Sequence, residues 1–162
     1  MSSVLTSGDL SVPQTSKRIY LDVCTLGRPY DDQAQLRIRL ETDAYYLILA
    51  HVRAGAYALL VSPVHFVEVA VNGNASERRK VEHLLREVGI PVTCSRSAAR
   101  QRAEELVGTG FGIADAAHVA YAEGSADAFI TCDGRLKKRC QRIGIRIPVC
   151  TPVEFAVMEG LR

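Results

Sequence analysis

The 162-residue sequence lacks a C-x-x-C pair, an apolar run near membrane length, a low-complexity block, an internal repeat and any strong net charge. Each absence removes a class of protein. Its five cysteines (24, 94, 132, 140 and 150) are odd in number and widely spaced, which supports neither a disulfide framework nor a zinc site. Cys94, Cys132 and Cys150 sit in or beside strand-like apolar stretches and read as core thiols. No apolar run reaches the ~18 residues of a membrane span. The start, M-S-S-V-L-T-S-G-D-L, has neither the basic flank nor the apolar core of a signal peptide, so a cytosolic protein is expected. A net charge of +2 gives no global attraction to nucleic acid. No basic strip interleaved with aromatics is present to stack single-stranded bases. The cations are 16 Arg against 4 Lys, a bias that genome composition explains as readily as phosphate binding.

What the sequence does have is an ordinary core-forming composition, 48% hydrophobic and 23% charged, in a chain of single-domain length. Residues 1–17 are Ser/Thr-rich without periodicity and are expected to be a flexible leader, with residues 18–162 forming one domain. Strands are expected at 18–22, 58–61, 90–92, 128–130 and 145–149. Helices are expected between them. One long helix is capped by Asp31 or Asp32 and closed by Gly55. Another starts at Ser62-Pro63. Capping boxes open two more at Asn74/Glu77 and Thr151/Glu154. Helices are also expected over 95–107, 113–123 and 133–143. Strands alternating with helices mean an α/β fold with a mainly parallel sheet.

Four acids interrupt apolar segments. Asp22 and Asp133 each end an apolar strand, where an aspartate either forms a turn or faces the ligand-binding edge of an open α/β sheet. Glu68 shares a helical face with Val64 and Val71, so it points where the helix is expected to bury its apolar side. There a lone carboxylate costs several kcal/mol unless paired, and His65 is one available partner. Asp115 lies in the first turn of a helix that is apolar all round, Ala114 to Ala122. It reads either as a complement to the helix dipole or as a functional acid. His118, one turn on, reads as a satisfied core histidine. Converging, the four would all ionise only around a cation, and oxygen-only ligation suits Mg²⁺ or Mn²⁺.

At these residues the chain resembles the PIN-domain family, especially the small ribonucleases that act as VapC-type toxins. The resemblance rests on Y-L-D at 20–22, F-V-E-V-A at 66–70, I-A-D-A-A-H-V-A-Y-A at 113–122 and D-A-F-I-T-C-D-G-R-L at 127–136. It implies a three-layer α/β/α sandwich with Asp22, Glu68, Asp115 and Asp133 as ligands of Mg²⁺ or Mn²⁺. Thr131 would be a hydroxyl placed two residues before the last acid; its plainer reading is a β-branched strand residue. Relatives often carry Asn, Ser or Thr soon after the first acid. Here Val23 and Cys24 precede Thr25, which leaves open whether Thr25 makes that contact. Arg28 and Arg135 are the candidate phosphate contacts, while Lys137, Lys138, Arg139 and Arg142 read as a solvated helix face.

The expected function is therefore a metal-dependent endoribonuclease, the toxin of a toxin–antitoxin pair. Carboxylate-held metal would activate the water that attacks the phosphodiester. The resemblance implies as partners RNA, a cognate antitoxin that offers a basic side chain to the pocket, and a second copy in a homodimer. Two rival readings stand beside it. One is a non-catalytic PIN-like module binding RNA or protein, which the presence of all four acids disfavours. The other is a phospho-acceptor domain, which normally has adjacent acids after its first strand and a lysine after its last; this chain has neither.

Overall fold

The computed structural model describes residues 16–162. Apart from Ser16 and Lys17, the expected leader lies outside the described residues. The elements run β1 (Lys17–Leu21), α1 (Val23–Leu26), a 3-10 turn (Arg28–Tyr30), α2 (Leu36–Arg53), β2 (Tyr57–Val61), α3 (Pro63–Ala70), α4 (Ala75–Val88), β3 (Gly89–Pro91), α5 (Arg96–Gly108), α6 (Ile113–Ser125), β4 (Ala128–Ile130), α7 (Gly134–Ile143), β5 (Val149–Cys150) and α8 (Pro152–Met158). All strand pairings among the described residues are parallel, in the order β3-β2-β1-β4-β5. Helices cover both faces, making a three-layer α/β/α sandwich.

Strand alternation sorts the core into two halves. Ile19, Leu21, Leu59, Val61, Ala128 and Ile130 face one cluster, with Tyr45 and Ile48 of α2, Val81 and Leu85 of α4 and Phe155 of α8. Tyr20, Leu60 and Phe129, the intervening residues, face the other, with Leu106 of α5, Val119 of α6 and Leu136 of α7. Buried on both faces, the strands need near-continuous apolar sequence, and they have it.

Two expected elements differ. The helix expected from Asp31 or Asp32 is broken: α2 starts only after Gln35, which makes no side-chain cap, and Pro29 lies in the separate 3-10 turn. The last strand does not span 145–149. Pro148 has no N–H to give a ladder, so pairing starts from its carbonyl, which accepts from Phe129 N at 2.9 Å. Ile145 and Ile147 instead pack half-buried against the second cluster.

β1 is central, with the chain progressing to β2 and β3 on one side and later to β4 and β5 on the other. Its carboxyl end and that of β4 therefore flank the topological switch point, where open α/β sheets place their ligands. Among the described residues, no helix is long and apolar enough to cross a membrane.

Candidate functional site at the carboxyl edge of the sheet

Asp22 follows β1 directly and is buried. As N-cap of α1 it accepts from Thr25 N at 3.1 Å. The same oxygen, Oδ1, accepts from Thr25 Oγ1 at 2.7 Å and Cys24 Sγ at 3.1 Å. Oδ2 accepts from Thr131 Oγ1 at 2.6 Å. Thr25 thus does make the polar contact that the residues directly after the first acid do not supply through oxygen, and its hydroxyl also receives Cys132 N at 3.0 Å. Thr131, fully buried at the end of β4, further accepts from Asp133 N at 3.0 Å.

Asp133 caps α7, its Oδ1 accepting from the N–H groups of Arg135 and Leu136 at 2.9 and 3.1 Å. Glu68 lies on α3 at the boundary of the core, its side chain 37% exposed. Val71, expected on a buried face with it, is open to solvent. The partner of Glu68 is not His65 but His118, whose Nε2 meets Oε2 at 2.5 Å. That hydrogen bond, outweighing partial burial, holds Glu68 below the usual carboxylate range. Asp115, half-buried in the first turn of α6, has no such support. Burial first, then the charges of Asp133 and Asp22, push its carboxyl above the usual range; Glu68 adds to this and His118 opposes it.

The fold thus gathers Asp22, Glu68, Asp115 and Asp133 near one edge, within reach of one another's fields. It does not make a metal centre of them. Among the described residues, no three Asp, Glu, His or Cys side chains are grouped so that they could hold a metal ion. The expected Mg²⁺ or Mn²⁺ site is therefore overturned, and with it the metal-dependent endoribonuclease and its reading as a toxin enzyme. The physical reason is how the oxygens are used. Both oxygens of Asp22 are taken by Thr25, Cys24 and Thr131, one of Glu68 by His118, and one of Asp133 by the start of α7. Each of these three acids is drawn to a donor of its own, and among the described residues their oxygens are not grouped round one point where a cation could sit.

Arg28 points inward, its side chain 17% exposed. Its Nε lies 2.8 Å from Glu41 Oε2, a close ionic approach without good hydrogen-bond alignment. Nη1 donates to Asp31 at 2.8 Å and Nη2 reaches the Cys132 carbonyl at 3.5 Å. Arg37, on α2, joins it by donating to Glu41 Oε1 and the same carbonyl, both at 2.9 Å. This clamp fastens the start of α2 to the loop carrying Asp133. Sequence reasoning missed it, although the i,i+4 spacing of Arg37 and Glu41 was its visible trace. Arg135 is exposed. On α7, Lys137 pairs with Glu154, and Arg139 donates to Gly110 O at 2.8 Å while lying over Phe111.

No family model matches the sequence, and no curated protein is similar to it. Among solved structures, the protein is similar to the crystal structure of FitAcB from Neisseria gonorrhoeae: 16% identity, 83% of this chain and 97% of that chain covered, TM-score 0.50. At that identity the likeness is one of fold, and it agrees with the three-layer α/β/α sandwich seen in the strand order and the two-sided core.

Proposed function

We propose that this chain is a non-catalytic PIN-like module whose acidic edge receives a basic side chain of a protein partner. The observation that carries the reading is Asp115, half-buried among like charges with no hydrogen bond to support it among the described residues. A guanidinium or ammonium placed there relieves repulsion that His118 offsets only in part. The rim suits a polypeptide. Val67, Val71 and Ile113, neighbours of Glu68 and Asp115 along α3 and α6, are largely exposed, and apolar surface around a charged centre is usual at protein interfaces. An RNA backbone brings more negative charge to that edge. Of the two arginines that the sequence suggested for phosphate, Arg28 is already paired with Glu41 and Asp31, and Arg135 stands exposed next to Asp133. An antitoxin-like protein is a partner of this chemistry.

Titration calorimetry with an arginine-bearing apolar peptide and, separately, a single-stranded RNA oligonucleotide tests the reading. The peptide is expected to bind, and Asp115→Asn to weaken it about tenfold, a loss of about 1.4 kcal/mol. RNA binding that survives Asp115→Asn and Asp133→Asn, with no peptide binding, would overturn the proposal in favour of an RNA-binding module.

A further inference from the structure

Behind Glu68 four polar side chains lie inside the core: Tyr20, Ser62, His65 and His118, none more than 2% exposed. They form a continuous chain. His118 Nε2 meets Glu68 Oε2 at 2.5 Å and its Nδ1 meets Tyr20 Oη at 2.7 Å. Tyr20 Oη meets Ser62 Oγ at 2.7 Å. Ser62 Oγ lies 3.2 Å from His65 Nδ1, and Ser62 N lies 3.0 Å from it. His65 Nε2 ends the chain on the Leu21 carbonyl at 2.7 Å. Two acids of the edge, Glu68 on α3 and Asp22 directly after Leu21, are thereby joined through the interior.

The proton positions follow from which atoms are able to donate. The Leu21 carbonyl only accepts, so His65 Nε2 carries a hydrogen. Ser62 N–H only donates, so His65 Nδ1 is the acceptor and the ring is neutral. Burial, reinforced by His118, agrees with this by pushing His65 down to about 4. At the other end the Glu68 carboxylate accepts, so His118 Nε2 carries a hydrogen. Two arrangements remain for the middle. In the first, Ser62 donates to Tyr20 and Tyr20 to His118 Nδ1, both across 2.7 Å. In the second, a doubly protonated His118 donates to Tyr20, Tyr20 to Ser62, and Ser62 to His65 Nδ1. That last step spans 3.2 Å to a nitrogen already occupied by Ser62 N–H. The two 2.7 Å contacts are common to both, so that long step to an occupied nitrogen is what disfavours the second and leaves the first.

We infer that Ser62, Tyr20 and His118 form a one-way donor relay that positions Glu68 from within the core, with His118 held as the Nε2–H tautomer. Tyr20 and Ser62 are positioning residues. Tyr20 fixes the His118 ring by donating to its far nitrogen, the carboxylate takes the near one, and Ser62 saturates the Tyr20 oxygen. The role parallels that of an outer partner that sets the tautomer of a functional imidazole. The inference goes beyond the proposed partner binding, because it concerns how Glu68 is held and not what it meets.

Imidazole and hydroxyl NMR on the ¹⁵N-labelled full chain near neutral pH tests it. His118 is expected to show a protonated Nε2 and an unprotonated, hydrogen-bond-shifted Nδ1, alongside a slowly exchanging Tyr20 hydroxyl proton. Tyr20→Phe should abolish that proton, move His118 Nδ1 toward the position of an unbonded ring nitrogen, and speed exchange of Nε2–H about tenfold as the ring loosens. Ser62→Ala should leave His118 Nδ1 hydrogen-bonded. A doubly protonated His118, an Nδ1–H tautomer, or a Tyr20→Phe protein in which Nδ1 does not move would overturn the relay. If Tyr20→Phe fails to fold, the wild-type spectrum still decides the tautomer.

Discussion

Thr131 Oγ1 donates to Asp22 Oδ2 across 2.6 Å, joining the carboxyl ends of the two strands that border the switch point. The same hydroxyl accepts from Asp133 N, so one buried side chain sets the positions of two acids. Asp22 and Asp133 are consequently held by bonds within the chain.

Thr131→Val keeps the shape and removes the hydroxyl. It leaves a buried Asp22 oxygen and the Asp133 N–H without partners, and the expected loss is about 2 kcal/mol of unfolding free energy. Urea denaturation measures it; an unchanged midpoint would show that the hydroxyl does not hold the edge.

Asp115→Asn should stabilise the protein slightly near neutral pH, by roughly a few tenths of a kcal/mol, because solvent screens the charge of a half-exposed carboxylate. Burial and the neighbouring acids raise the folded-state value above the ordinary 3.8, so the ionised form is penalised by folding. The penalty is absent below pH 3.8, where both states are protonated, and complete above the folded value. The mutant's advantage in thermal melts should therefore grow with rising pH and vanish in acid.

Glu123, on α6, has the opposite sign. Burial pushes its carboxyl up, but hydrogen bonds from Arg102 and Arg146 outweigh that and leave it lowered from 4.5. Its contribution is fully present above pH 4.5 and is lost as pH falls through the lowered folded value. Glu123→Gln should cost about 2 kcal/mol at neutral pH, the scale of hydrogen bonds to a charged group. Melts of the two proteins should converge at the acid end. A pH-independent difference would place the effect in packing.

Much of the fold was legible because its signals are local. Ser62 before Pro63 marked the start of α3, and Thr151 with Glu154 formed the capping box of α8. Apolar runs ending in Asp22 and Asp133 marked strands buried on both sides. Legibility failed at α2, because a cap is a geometry and not a residue type. Asp31 and Asp32 were equally able to cap, yet Pro29 and the pull of Glu41 on Arg28 place that segment outside the helix. It failed again at β5, where only the ladder shows that pairing starts at Pro148.

The sequence by itself determined the layering and the company of the four acids: periodicity decides which residue faces which layer, and parallel strands deliver their carboxyl ends to one edge. The tertiary structure alone decided what those acids do there. Whether a carboxylate binds a cation, a partner or its own chain depends on donors brought from distant segments. Thr131 lies 109 residues from Asp22 and His118 50 from Glu68. Hydrogen bonds are short-ranged and directional, so no spacing in the sequence reveals which of them close.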